Sequence, residues 1–395
     1  MIHLVAEQSE LPTKRILGRI AGRDSSRGAV VFFAGLHGNE PAGIRALHRL
    51  LDGLGTVQDK LAGEVICLAG NLPALAANKR FLRYDLNRLW TDRTVLQARN
   101  HAIQLDPANP ELNEQRELLK IIDPLLNSPP GPLYFVDMHT TSAPSVPFIA
   151  INDQLDNRRF ALKFQVPGVL GLEEYLEGPM LSYLNGTGHV ALAFEAGQHD
   201  DANSVDIHES FAWMTLAHAG LLTADDVPGY EFHARRLGES ARDIGGMFEV
   251  IHRHNVEAHD AFAMKPGYVN FAQVERNEAV ANDKDGAIKA KKRCRIFMPL
   301  YQSAGSDGFF LVRKIPQWAL SLSAVLRKIN FENFLVWLPG VSRSPDRPDT
   351  LVVNRRVARF LANELFHLLG YRRKKVEGEV MLFSRREIAD ADRSV

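Results

Sequence analysis

His37 and Glu40 stand three residues apart in Phe33-Ala34-Gly35-Leu36-His37-Gly38-Asn39-Glu40-Pro41-Ala42-Gly43, where an apolar run breaks into H-G-N-E-P-A-G. An imidazole and a carboxylate at that offset can hold one metal ion from a single tight turn that enters a helix at Glu40. Asp137-Met138-His139-Thr140-Thr141 follows a second apolar run and offers a third donor, His139. Three nitrogen and oxygen ligands with a fourth position open are how catalytic zinc sites are built. Gly38 permits an unusual backbone between the first two ligands, and Pro41 suits the first turn of the helix. Asp137, two residues before His139, projects to the same side of a continuing strand and could orient a liganding ring. A lone histidine reads as a structural residue. The shared spacing and the third segment favour the metal.

Hydrolysis at such a metal needs a group that takes a proton from water and a cation that faces the developing oxyanion. Phe194-Glu195-Ala196-Gly197-Gln198 puts a carboxylate at a strand end beside small residues. Glu195 reads equally as a base or as a strand-terminal glutamate facing water. Asn78-Lys79-Arg80-Phe81-Leu82-Arg83-Tyr84-Asp85-Leu86-Asn87-Arg88 is a loop by composition with three arginines. Arginine grips oxyanions and carboxylates with a two-pronged fork, although a solvated charged loop has the same composition.

The elements that must position these groups follow from periodicity. Ala29–Ala34, Glu64–Ala69, Leu133–Val136, Pro147–Ile151 and Val190–Phe194 read as strands, and Glu40–Leu51, Pro110–Leu126 and Ser204–Leu222 as helices. The alternation predicts an α/β fold, a mostly parallel or mixed sheet with helices on both faces. Ligands gather at the carboxyl ends of such strands, and His37 and His139 each follow one. From Met247 to about Lys314 short strands are broken by turn chemistry, as in Lys265-Pro266-Gly267. The division expected is 1–229 for the metal-bearing unit, 230–315 for a smaller β-rich domain and 316–395 for an α+β tail. The tail should hold a helix at Trp318–Ile329, a strand at Phe334–Leu338 and a second helix at Asn354–Leu369.

At 395 residues there is ample chain for two or three domains. Lys plus Arg and Asp plus Glu both total 47, so no net charge drives the chain toward nucleic acid or an anionic membrane. Two cysteines, Cys67 and Cys294, far apart in sequence, argue against a disulfide framework and suit a reducing compartment. No basic start leads into a long apolar region, and no apolar run approaches the roughly 20 residues of a membrane span. A cytoplasmic setting is expected, with homo-oligomerisation left open.

Taken together, the segments resemble the aspartoacylase and succinylglutamate desuccinylase family of the zinc carboxypeptidase clan. The motifs are H-G-N-E-P-A-G at His37–Gly43, R-F-L-R-Y-D-L-N-R at Arg80–Arg88, D-M-H-T-T at Asp137–Thr141 and F-E-A-G-Q at Phe194–Gln198. Met264–Phe271 and Met298–Tyr301 are similar to the family's C-terminal β domain, so the resemblance spans about residues 29 to 315. It implies a zinc carboxypeptidase-like fold and one Zn2+ per chain on His37, Glu40 and His139. It further implies Glu195 as general base and acid, Arg80 as the group polarising the scissile carbonyl, and Asn87 and Arg88 as the grip on a substrate carboxylate. The implied reaction is deacylation of an N-acyl amino acid.

Two departures shape the expected substrate. Family members acting on dicarboxylic substrates carry a further arginine before the catalytic glutamate. Here Gly171–Val190 has no lysine or arginine and holds Glu173, Glu174 and Glu177. A negative rim repels an acidic side chain, so a neutral or basic moiety is expected. Phe309 and Phe310 stand where the family presents tyrosines, and phenylalanine donates no hydrogen bond. Carboxypeptidase-like cleavage of a small peptide or amide is an alternative use of the same site, and a non-catalytic zinc-holding module is another. His252, His254 and His259 could form a second metal site, but surface or core histidines fit a β domain better.

Overall fold

The computed structural model describes residues 12–100, 108–127, 129, 131–257, 259–301, 306–329, 331–337, 340–344, 350–354, 369, 371–377 and 380–385. The strands of the large sheet begin with β1 (Ile16–Ala21), β2 (Ala29–Ala34), β3 (Glu64–Ala69), β4 (Leu133–Thr141), β5 (Phe148–Ile151), β6 (Gly168–Leu170) and β7 (Val190–Gln198). Further along come β8 (Met247–Asn255), β9 (Ala263–Met264), β10 (Gln273–Val274), β11 (Ala279–Asp283), β12 (Gly286–Lys289), β13 (Cys294–Phe297) and β14 (Asp307–Lys314). Eleven strands form one sheet in the order β1-β3-β2-β4-β7-β5-β6-β8-β14-β13-β10, and β12-β11-β9 form a small second one. Pairing is parallel among β3, β2, β4 and β7 and antiparallel at β1, at β5 against β7 and from β8 to β10. The sheet is therefore mixed, and strands from both sides of residue 230 share it.

Period-two alternation sends the side chains of β2 to opposite faces. Val30, Phe32 and Ala34 join one apolar cluster, and Ala29, Val31 and Phe33 join the other. Helix α1 (Ala42–Gly55) covers the first face with Ile44, Leu47, Leu50 and Leu54, a helical stripe. The short α2 (Leu72–Ala76) follows β3. The second face is covered by α3 (Asp92–Arg99), α4 (Pro110–Asn127) and, after α5 (Leu155–Ala161), by α6 (Met180–Gly186). Helix α7 (Asn203–His218) is buried almost all round because it lies under the sheet with α1 and α8 (Tyr230–Ser240) against it. Among the described residues no helix is long and apolar enough to cross a membrane.

The tail returns to the large sheet. Helix α9 (Gln317–Lys328) buries Arg327, whose guanidinium meets the Asp153 carboxylate at 2.8 Å just beyond β5. Arg158 pairs with the same aspartate and donates to Ser323 of α9 at 3.0 Å. A four-stranded sheet follows, β15 (Val341–Arg343), β16 (Thr350–Asn354), β17 (Tyr371–Glu377) and β18 (Val380–Arg385), in the order β15-β16-β18-β17. The strand expected at Phe334–Leu338 is instead a 3-10 turn over Phe331–Trp337. Phe331, Phe334 and Trp337 recur every three residues, and their rings meet at 5.6 and 6.4 Å, the eclipsed spacing of a 3-10 helix. Leu338 and all but the ends of the helix expected at Asn354–Leu369 lie outside the described residues, and Asn354 ends β16.

His218, at the end of α7, sets an acid limit on the fold. Its ring stands edge-on to Phe164 at 4.7 Å. Burial, aided by the Lys163 ammonium, pushes it down to about 4. Between about pH 6.5, the ordinary value, and that point the unfolded chain binds a proton that the native state refuses. Stability is then full above about pH 6.5 and falls as the pH drops toward 4. The full shift would be worth about 3 kcal/mol, and solvent access to the half-buried ring reduces that to about 1–2 kcal/mol. His218→Gln should flatten this part of the pH profile, read as urea midpoints between pH 4 and 7.5. Parallel profiles would show that His218 does not contribute.

Candidate active site

Three strand ends build the site. The chain leaves β2 through Gly35 and Leu36 and turns at His37–Glu40, where the Glu40 N–H donates to the His37 carbonyl at 3.1 Å. Helix α1 begins at Ala42, two residues later than the expected Glu40, with Pro41 as its cap. Gly38 is required by close approach rather than by an unusual backbone, since a Cβ there would lie 2.0 Å from the Ala74 carbonyl carbon in α2. The Gly38 N–H donates to the Arg80 carbonyl at 3.2 Å, which ties the arginine loop to the turn. His139 lies within β4 and Glu195 within β7, which runs on to Gln198 beyond the expected end at Phe194. The two residues are register partners on adjacent parallel strands.

His37, Glu40 and His139 are buried, and one ligand atom from each lies within 4.8 Å of the others. The Glu40 carboxylate is shared between the rings: Oε1 is 2.8 Å from Nδ1 of His37 and Oε2 is 2.9 Å from Nδ1 of His139. Oε2 also accepts the Thr140 N–H at 3.0 Å. Each imidazole is held from its other side. Nε2 of His139 meets Asp137 Oδ2 at 2.7 Å, and Nε2 of His37 meets Asp85 Oδ1 at 3.1 Å.

This donor set fits a divalent cation. A neutral imidazole that donates from Nε2 to a carboxylate presents a bare lone pair at Nδ1. Both bare nitrogens here aim at a third carboxylate, an arrangement that needs positive charge between them. Without a cation, burial opposes the charge on His139 but Asp137 and Glu40 hold its pKa well above the ordinary value. Burial likewise opposes the charge on Glu40, yet His37 and His139 keep its carboxyl well below the usual range. Carboxylates behind liganding histidines fix the tautomer in metal sites, and Asp85 and Asp137 stand in that position. Among the described residues no other donor group of this kind occurs. The histidines considered for a second site are not gathered, and His254 packs in an aromatic cluster with Phe309 and Phe262, at 5.1 and 5.3 Å.

The three residues open into a cavity of about 420 Å³ that also holds Arg80, Asn87, Arg88 and Glu195. Arg80 donates to Asp85 at 2.9 Å and stands 3.8 Å from Glu40. Glu195 is 9% exposed, and its Oε2 has no hydrogen-bond partner among the described residues. Burial pushes its carboxyl up to about 7. Asn87 accepts the Met180 N–H at 2.9 Å through its side-chain oxygen, so its NH2 group faces the cavity side near His139. Arg88 donates to the Asn87 carbonyl at 2.9 Å. Arg83 is turned away, donating to the Ala108 carbonyl.

Residues 26–218 match the succinylglutamate desuccinylase/aspartoacylase catalytic domain. The chain carries a catalytic domain of that family. The succinylglutamate desuccinylase of Yersinia enterocolitica is 36% identical over 88 residues, covering 22% of this chain and 26% of that protein. That of Photorhabdus laumondii is 43% identical over 65 residues, 16% and 20% of the two chains. These matches thus span about a quarter or less of the curated relatives' length. Among solved structures, a succinylglutamate desuccinylase/aspartoacylase from Rhodobacter sphaeroides aligns with TM-score 0.54 at 17% identity, over 76% of this chain and 88% of that one. The product-bound ectoine utilization protein EutE (DoeB) of Ruegeria pomeroyi gives 0.52 at 20% identity, over 75% and 86%. These structural likenesses establish the fold alone.

Within this desuccinylase/aspartoacylase domain, motif reading passed over two groups. Asp85 sits inside R-F-L-R-Y-D-L-N-R, and the need of His37 for a supporting carboxylate is the signal that finds it. His199 follows F-E-A-G-Q, lines the cavity and meets the Thr140 hydroxyl at 2.8 Å. Nothing in its sequence neighbourhood distinguishes it.

Proposed function

We propose that this protein is a zinc-dependent amidohydrolase that removes the acyl group from an N-acyl amino acid or a related small amide. The observation that carries the reading is the convergence of His37, Glu40, His139, Glu195 and Arg80 on one cavity. Zinc, held by His37, Glu40 and His139, would supply a water of lowered pKa and a Lewis acid for the amide carbonyl. Glu195 takes the proton of the attacking water and returns it to the leaving amine. Arg80, kept cationic by Asp85 and Glu40 despite its burial, faces the oxyanion. Arg88 and the Asn87 NH2 group grip a substrate carboxylate.

The amine portion is neutral or basic in this reading. A groove of about 710 Å³ adjoins the cavity, sharing Glu173, Leu176, Pro179 and Ser182 with it. Asp92, Glu173, Glu174 and Glu177 line this groove together with Trp90, Tyr175 and Tyr183, and none of its lining residues is a lysine or arginine. Such a wall disfavours a second substrate carboxylate.

The test is a hydrolysis panel with the zinc-loaded protein: N-acetylated neutral, basic and acidic amino acids, N-succinylglutamate and dipeptides. Neutral and basic N-acyl amino acids should be cleaved at least about tenfold better than acidic ones, the effect of roughly 1.4 kcal/mol of charge repulsion. Preference for N-acetylaspartate or N-succinylglutamate would overturn the substrate assignment, and preference for dipeptides would favour a peptidase.

A further inference from the structure

The substrate-carboxylate end of the cavity contains an acid that the family motifs do not supply. Asp307, in β14, lines the cavity beside Arg88, with Oδ2 3.6 Å from Nη2 of that arginine. Its Oδ1 accepts a hydrogen bond from Nε of Arg253, and Nη1 of Arg253 donates to the Tyr175 carbonyl at 2.8 Å. Arg253 stands behind Asp307 and fixes it both to β8 and to the loop that carries Glu173, Glu174 and Glu177.

A register break brings Asp307 there. On a regular strand Asp307 would share a face with Phe309, which is buried in a separate apolar cluster with Val274 and Ile296. The pairing of β14 with β8 shifts between Asp307 and Phe309. The extra residue, Gly308, puts Asp307 on the face of Phe310, which lines the cavity and lies opposite Arg253. A Cβ at Gly308 would come within 2.7 Å of both Phe262 and Val256.

We propose that Asp307, clamped by Arg253, is a positioning residue that holds the Arg88 guanidinium for one substrate carboxylate. The inference rests on the reading above, in which Arg88 grips that carboxylate. The Arg88–Asp307 separation exceeds the roughly 2.7–3.2 Å of an N–H···O hydrogen bond. The aspartate therefore aligns the guanidinium by charge and leaves the hydrogens of Nη2 for the ligand. Two guanidiniums against one carboxylate leave a single positive charge, which one substrate carboxylate balances. A second substrate carboxylate at this end would face Asp307 itself.

The experiment compares wild type with Asp307→Asn, both zinc-loaded, on a cleaved N-acetyl amino acid and on its carboxamide analogue. Asp307→Asn should raise KM for the carboxylate substrate about tenfold, the loss of one charge-aligned contact. The expected change in kcat is small, and the carboxamide should be handled as by wild type. Binding of the free amino acid product, followed by calorimetry, should weaken by the same factor and needs no turnover. Equal losses on both substrates would mark a merely structural role and overturn the inference, as would unchanged product binding. Wild type that binds no free amino acid would overturn the Arg88 assignment as well, which separates the two failures.

Discussion

Glu195→Gln should leave one metal per chain in place and lower kcat by about a hundred- to ten-thousand-fold, the range that a positioned general base supplies. The substitution keeps the size of the side chain and removes its ability to take a proton. Geometry makes the effect specific. Glu195 is the register partner of His139 on the next strand, so it stands beside the metal donors without belonging to them. Its Oε2 has no hydrogen-bond partner among the described residues, so no neighbouring donor is stranded by the change. KM should alter little if, as proposed, Arg88 and Asn87 rather than Glu195 hold the substrate carboxylate. Metal content by elemental analysis and kcat by amine release provide the two readouts. A variant with full metal and turnover within tenfold of wild type would remove Glu195 from the mechanism. Lost metal would instead make it part of the cation site.

How far the sequence exposes this arrangement depends on the range of the interaction that fixes each part. His37 and Glu40 are legible because their relation is local, a three-residue offset in a turn. The core strands β2, β3, β4 and β7 are legible because they are continuous apolar runs, buried on both faces. Asp137 is legible because strand periodicity relates it to His139. Asp85 belongs to the same centre, yet it lies 48 residues from His37, and nothing local links the two. Asp307 is hidden for a further reason. Its orientation depends on a bulge at Gly308 that reverses the face predicted by simple alternation. The short helices α2, α3, α5 and α6 escape periodicity because each buries too few apolar positions to make a stripe. In α3 only Val95 and Ala98 are buried. The strand expected at Phe334–Leu338 fails because an aromatic-rich run suits a strand by composition, whereas the three-residue spacing of its rings suits a 3-10 turn.

His139→Ala should abolish turnover together with tight metal binding, whereas Asp137→Asn should only weaken them. Removing His139 deletes one of three donors and leaves the Glu40 carboxylate buried with a single imidazole for company. Asp137 acts from behind the ring, and loss of such a supporting carboxylate costs about 10- to 100-fold in metal affinity. The ordering can be read without any substrate. A cation that binds only the native state stabilises it by mass action, about 2.7 kcal/mol when free metal is 100-fold above Kd. Chelation should therefore lower the melting temperature of the wild type by several degrees, and zinc should restore it. His139→Ala should melt at or below the chelated wild type and be insensitive to either treatment. Asp137→Asn should respond to zinc as wild type does, but only at higher metal concentration. A wild type whose melting temperature, metal content and activity ignore chelator and zinc alike would mean that the two imidazoles and Glu40 are held together by protons, and the hydrolase reading would fall with the cation.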